Sequence, residues 1–308
     1  MSKEQKKLKG IIPPMVTPLV DNDTLDKPGL ERLIEHMICG GVHGLFILGT
    51  TGEAPSLSYA LRYEVIVETC RIVNNRIPVL VGITDTSMTE SLRMAEHAAR
   101  CGASAVVSAP PYYFAPAQQE LIEFYNDLAD RLPLPLFLYN MPSHVKVVFE
   151  PSTVKELSKH PNIVGLKDSS SNMVYFQSLI HLLKNDPGFS LLVGPEELTA
   201  ESVMMGADGG VNGGANMFPK LYVDLYEAAL ELDYERVRAL QEQVMEISTT
   251  IYKVGKYGSS YLKGVKCVLS LLGICSDYMA SPFRQFREEE RARVRSVLEA
   301  MNIPVKNP

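Results

Sequence analysis

The sequence predicts a (β/α)8 TIM barrel of the α/β class with a C-terminal helical extension. Three observations lead to it. Eight short apolar runs recur, with starts about 18 to 35 residues apart, the spacing of a strand, a helix and their loops. Hydrophobic periods of helical type fill the gaps between the runs. After Phe218 the strand signals stop while helical periods continue. Regular alternation of this kind closes into a barrel with the helices outside. A doubly wound open sheet is the alternative, but no run is followed by the G-x-G-x-x-G turn that would favour it. Residues 1–225 are assigned to the barrel. Residues 226–308 are assigned to a helical region packed on the barrel or on a neighbouring subunit.

The strand-like runs are Gly10–Thr17, Leu45–Leu48, Val79–Ile83, Ala105–Val107, Leu136–Tyr139, Ile163–Leu166, Leu191–Val193 and Gly209–Val211. Apolar runs without alternation suit parallel strands buried on both faces. Between the third and fourth runs, Met88, Leu92, Ala95 and Ala99 keep a helical period. Ser87 and Glu90 form a capping-box signature before that helix, and Gly102 stands where it should stop. Leu121, Phe124, Leu128 and Leu132 repeat the rhythm after the fourth run. Pro151 and Ser152 open a helix with Val154 and Leu157 on one face. Residues 217–254 read as one or two helices, 259–272 as another and 285–301 as a charged amphipathic one. Gly255 to Gly264 contains Tyr257 and Tyr261, the pattern of a turn that makes contacts.

Bulk composition narrows the function. Of 308 residues, 46% are hydrophobic and 21% charged, as in ordinary globular proteins. The net charge is -6 with no long basic run, which argues against nucleic acid and anionic membrane as partners. The N-terminal stretch Met1–Lys9 is polar and lacks a signal core, and no apolar run reaches the roughly 20 residues of a membrane span. A cytoplasmic location is expected. The five cysteines are scattered without C-x-x-C spacing and read as buried free thiols. The six histidines form no H-x-x-x-H pair or zinc-type cluster, so no metal is expected.

The active face of such a barrel lies at the C-terminal strand ends. The sixth run, Ile163-Val-Gly-Leu, enters Lys167-Asp168-Ser-Ser. A lysine there holds its stem in an apolar wall with its amine at a cavity mouth. Desolvation favours the free amine, which forms Schiff bases with ketones. Pairing with Asp168 or another acid, or snorkelling to water, is the competing reading. The second run ends in Gly49-Thr-Thr-Gly-Glu53, a turn that exposes N–H and hydroxyl donors suited to a carboxylate; an ordinary capped turn is the alternative. The fourth ends in Pro110-Pro-Tyr-Tyr-Phe114, a stiff aromatic loop suited to packing or a subunit contact. The fifth ends in Tyr139, a proton carrier if its hydroxyl faces the cavity and a core residue if not. The seventh gives Gly194-Pro-Glu-Glu197, acids that either cap a helix or bind ligand. The eighth gives Gly209-Gly-Val-Asn-Gly-Gly214, which allows close ligand approach, phosphate included.

Taken together, Gly49-Thr-Thr-Gly-Glu53, Pro111-Tyr-Tyr113, Tyr139-Asn-Met-Pro142, Gly165-Leu-Lys-Asp168 and Gly206-Ala-Asp-Gly-Gly210 resemble the dihydrodipicolinate synthase / N-acetylneuraminate lyase family of pyruvate-dependent class I aldolases. The resemblance spans residues 10–300. It implies a barrel with a C-terminal helical region, assembled as a homotetramer of tight dimers, and no cofactor beyond a covalent lysine–pyruvate Schiff base. It implies Lys167 as the Schiff-base lysine, Tyr139 as general acid/base and Thr50 as its proton relay. Thr50 and Thr51 would hold the pyruvate carboxylate, Tyr113 would reach a neighbouring subunit's site, and Val211 would line the pocket.

Two departures bear on the second substrate. The synthase branch has Arg two residues after the Pro of the Tyr-Asn-x-Pro motif; here His144 stands there, without a bidentate fork and mostly neutral at pH 7. Gly194-Pro-Glu-Glu197 resembles the Gly-x-Asp-Glu of the sugar-acid lyases, although that branch commonly has Ser where Thr50 stands. The expected enzyme is a carbon–carbon lyase of pyruvate and a polyhydroxylated aldehyde, a 2-keto-3-deoxy sugar acid in the cleavage direction, contacted by Gly194, Glu196, Glu197 and His144. Dihydrodipicolinate synthase itself and a pyruvate-binding barrel without turnover are the alternatives.

Overall fold

Each of the eight apolar runs forms a strand, and each strand pairs in parallel with its neighbours. They are β1 (Gly10–Ile11), β2 (Leu45–Ile47), β3 (Val79–Gly82), β4 (Ala105–Ser108), β5 (Leu136–Asn140), β6 (Ile163–Asp168), β7 (Ser190–Val193) and β8 (Gly209–Gly210). The computed structural model describes residues 7–305; the first six residues of the polar N-terminal stretch lie outside the described residues. The sheet order is β1-β8-β7-β6-β5-β4-β3-β2. Its two ends meet where Pro14 bridges Phe46: Met15 N–H donates to Phe46 O at 2.8 Å and Phe46 N–H to Pro13 O at 2.9 Å. The barrel is thereby closed. β1 is shorter than the expected Gly10–Thr17 because Pro13 and Pro14 have no N–H for a ladder. β8 is two glycines for a steric reason: a Cβ on Gly209 would lie 2.0 Å from Gly10 O.

Strand parity sorts the side chains into two cores. Ile12, Phe46, Leu80, Val107, Phe137, Tyr139, Leu192 and Val211 point inward and fill the barrel. Leu45, Ile47, Val79, Val81, Leu136, Leu138, Leu191 and Val193 point outward, into the layer beneath the helices. Those helices are α1 (Lys27–Cys39), α2 (Tyr59–Val73), α3 (Met88–Arg100), α4 (Gln118–Arg131), α5 (Pro151–Leu157), α6 (Met173–Leu183), α7 (Thr199–Met204) and α8 (Pro219–Leu230). Ser87 caps α3 as expected, accepting from Glu90 N–H. The buried face of α3 ends on Ala98 where the sequence period pointed to Ala99. The cysteines are free, but only Cys267 and Cys275 are buried, and Cys39 is exposed at the end of α1. Among the described residues no helix is long and apolar enough to cross a membrane.

Three more helices follow: α9 (Tyr234–Thr249), α10 (Ser260–Leu271) and α11 (Glu288–Ala300). α10 is fastened to the barrel by a buried ion pair. Lys266, 1% exposed, pairs with Glu53 at the end of the Gly-Thr-Thr-Gly-Glu turn. Each charge has a further partner, since Lys266 Nζ donates to Tyr278 O at 2.7 Å and Glu53 Oε2 accepts from Ala280 N–H at 2.9 Å. Removing one member of such a pair leaves an uncompensated buried charge, which costs about 3–5 kcal/mol. Lys266→Ala is therefore expected to lower the denaturant midpoint by the equivalent of about 3–5 kcal/mol without changing the slope. An unchanged midpoint would rule out this fastening.

Candidate active site

The parity that fills the barrel also decides what stands at its mouth. Along β5, Phe137 and Tyr139 face inward; along β6, Gly165 and Lys167 do. Tyr139 and Lys167 are register partners on neighbouring strands, as are the next pair, Asn140 and Asp168. The first pair faces the cavity and the second faces away. Lys167 is 6% exposed. Its stem runs among Phe46, Leu80, Val107, Phe137, Leu192 and Val211. Its Nζ lies 4.2 Å from the Tyr139 ring centroid and 5.0 Å from that of Phe46.

Asp168 does not pair with Lys167. It accepts from Asn140 Nδ2 at 2.7 Å, Ser170 Oγ at 2.9 Å and Ser170 N–H at 3.1 Å. Burial raises its pKa above the ordinary Asp value, against the opposing effect of those donors. Lys167 thus lines the cavity while Asp168 is engaged elsewhere.

That cavity encloses about 650 Å³ and is lined by residues from most strand ends. It brings together Lys167, Tyr139, Thr50, Thr51, Val211, Gly194, His144, Glu196 and Glu197. Thr50 Oγ1 lies 3.3 Å from Tyr139 OH. The Gly194 carbonyl, on the wall, accepts from Asn212 Nδ2 at 3.3 Å. His144 stands exposed on the rim, with Nδ1 3.0 Å from Ser143 Oγ. Partial desolvation holds its ring below the ordinary His pKa, so it is mostly neutral at pH 7. Tyr113 is not brought to this cavity: it is 79% exposed and packs edge-on against Phe114.

The two glutamates differ. Glu196 is buried with both oxygens engaged. Oε1 accepts from Tyr222 OH and Tyr252 OH, each at 2.6 Å, and Oε2 accepts from Gly214 N–H at 2.8 Å. Burial pushes its pKa up, and pushes those of Tyr222 and Tyr252 well above the ordinary tyrosine value. Three donors thus hold the Glu196 carboxylate, so that Glu196 builds the cavity wall as well as lining it. Glu197 is half-buried and accepts through Oε1 from Ser248 Oγ.

Several lining residues were not assigned to the site from the sequence. Ser169 and Ser171 follow Lys167 on its own loop. Tyr252, Tyr257 and Tyr261 come from the turn before α10 and its first residues. The glycine- and tyrosine-rich pattern of 255–264 signalled Tyr257 and Tyr261 as contacts, and Tyr252 lies outside it. Among the described residues no group of His, Cys, Asp and Glu is placed to hold a metal ion.

Comparison with known proteins agrees with this architecture. The model of the Dihydrodipicolinate synthetase family matches residues 7–301. A structure described as dihydrodipicolinate synthase from Bacteroides thetaiotaomicron is 63% identical, covers 95% of this chain and 98% of its own, and superposes with a TM-score of 0.93. The Escherichia coli K12 protein YagE, crystallised in complex with pyruvate, is 29% identical over 96% of this chain and 99% of its own, with a TM-score of 0.90. A second Escherichia coli K12 relative, named Probable 2-dehydro-3-deoxy-D-pentonate aldolase YjhH, is 31% identical over 97% of this chain and 99% of its own.

The geometry of Glu196 yields a test. Glu196→Ala removes the acceptor of two buried hydroxyls and one buried N–H, at about 1–3 kcal/mol for each group left without a partner. A loss of at least about 3 kcal/mol in stability is expected, read by thermal or denaturant unfolding. A variant of wild-type stability that lost only substrate affinity would return Glu196 to ligand binding.

Proposed function

This chain belongs to the dihydrodipicolinate synthetase family and is a lyase, and we propose that it joins or cleaves pyruvate and a polyhydroxylated aldehyde through a Schiff base on Lys167. On this reading the cleaved substrate is a 2-keto-3-deoxy sugar acid. The supporting observation is the Lys167 amine itself, which is buried, turned away from Asp168 and aimed into a cavity beside the Tyr139 ring.

In the condensing direction the amine adds to C2 of pyruvate and water leaves, forming a C=N bond. The iminium withdraws electrons from C3, and loss of a C3 proton gives an enamine. The enamine carbon attacks the aldehyde carbon, whose oxygen takes a proton. Water then hydrolyses the C=N bond and restores the amine. Cleavage runs the same steps in reverse. Tyr139 is the proton carrier and Thr50, 3.3 Å away, its relay. Thr50 and Thr51 receive the keto acid's carboxylate, and Val211 packs beside the enamine. Tyr113, exposed on its loop, suits a reach into the mouth of a second copy in a homotetramer.

The charges of the wall favour a polyol as second substrate. Among the described residues Lys167 is the only Lys or Arg that lines the cavity, and His144 is mostly neutral at pH 7. A second carboxylate finds no guanidinium there. Hydroxyls find Glu197, His144, Ser169, Ser171 and Tyr257. The aldolase name carried by YjhH points the same way. One observation favours a second reading, 4-hydroxy-tetrahydrodipicolinate synthesis: the Bacteroides thetaiotaomicron structure, 63% identical, is described as that synthase.

Borohydride added with pyruvate is expected to reduce an adduct onto Lys167, located by peptide mass. Lys167→Ala should fold, take up no adduct and show no turnover. An adduct on a different residue would end this assignment. Tyr139→Phe should lower the rate by about 10²–10⁴-fold. Side-by-side assays with 2-keto-3-deoxy sugar acids and with aspartate semialdehyde separate the two readings. Faster turnover of aspartate semialdehyde by the wild type would favour the synthase. His144→Arg is expected to improve its use if this position selects the aldehyde.

A further inference from the structure

We infer that Tyr261 is a positioning residue for the carboxylate end of the site, acting through Thr51. The inference rests on the Schiff-base reading above and deepens it. The two adjacent threonines of the turn after β2 each meet one tyrosine hydroxyl. Thr50 has Tyr139, from the barrel. Thr51 Oγ1 has Tyr261 OH at 3.3 Å, from α10 and 210 residues along the chain.

Tyr261 is held tightly enough to position something. Its hydroxyl lies on the backbone of Gly213, where an added Cβ would come within 1.6 Å of the oxygen. Its ring meets Tyr252 edge-on, with centroids 4.8 Å apart at 79°. Tyr252 is itself fixed by its hydrogen bond to the buried Glu196. Burial raises the Tyr261 pKa, so the phenol keeps its proton at neutral pH. The same helix grips the same turn a second time, through Lys266 on Glu53.

A threonine hydroxyl is a rotor with one hydrogen and two lone pairs. When the Tyr261 phenol donates to Thr51 Oγ1, the Thr51 hydrogen must point elsewhere. The cavity side, where a keto acid's carboxylate would arrive, is then open to it. Tyr261 thus removes a rotational choice before the substrate binds, and a donor already aimed costs no reorganisation.

Tyr261→Phe deletes one oxygen and keeps the packed ring. Borohydride trapping of pyruvate is followed by intact mass over a pyruvate titration. The half-saturating concentration is expected to rise about 3- to 10-fold, the size of one neutral hydrogen bond, with plateau labelling and melting temperature unchanged. A packing role alone would lower the plateau or the melting temperature instead. In a Thr51→Val background, Tyr261→Phe is expected to add nothing, because the two groups act in series. An unchanged half-saturation in the single variant, or independent multiplying effects in the double variant, would overturn the inference. A wild type that takes up no adduct would overturn the Schiff-base reading, and this inference with it.

Discussion

The parallel register between β5 and β6 is the constraint on which the site depends. It sets Tyr139 beside Lys167 and Asn140 beside Asp168. Side chains alternate along a strand, so one pair faces the cavity and the other the surrounding layer. A slip of one residue in β6 would exchange its pair members, sending the lysine among outward apolar groups and a carboxylate into the barrel. The Asn140–Asp168 hydrogen bond at 2.7 Å works against such a slip, because it joins the outward pair. Asp168 is thus tied to the position of Lys167 through the backbone, without a direct ion pair.

The C-terminal helices are part of the site's construction. The turn carrying Thr50 and Thr51 begins just after Leu48, which is buried and holds a positive φ of 56°. A leucine in that region is strained by about 1–3 kcal/mol, and the surrounding structure must hold it there. The Glu53–Lys266 pair, with Tyr278 O and Ala280 N–H as further partners, supplies part of that hold. Glu196 serves the same end nearby, joining Tyr222 of α8 to Tyr252 of the turn before α10.

Much of this was legible in the sequence. The eight runs, the helical periods and the cluster of Lys167, Tyr139, Thr50 and Thr51 at one end follow from local patterns and from the rule that βα-barrel sites form at strand ends. What escaped was long-range or turned on side-chain direction. Glu196 and Glu197 are adjacent acids that both line the cavity, yet the first is buried under three donors and the second is half-buried with one; spacing alone does not say which. Tyr261 could be flagged as a contact but not matched to Thr51, because nothing local connects residues 210 positions apart. Lys266 stands in the apolar stretch Val265-Lys-Cys-Val268, and its partner Glu53 is hidden for the same reason.

The separation along the chain also has a consequence for synthesis on the ribosome, which proceeds from the N-terminus. All eight strands have been made once Gly210 has been added. Tyr261, Lys266 and Ala280 have not. A nascent chain of that length holds every barrel strand and the Lys167 amine, but its threonine turn has neither of its two distant anchors. Completion of the pocket therefore waits on nearly the whole polypeptide, and a truncated product that keeps the barrel would still lack a finished substrate cradle.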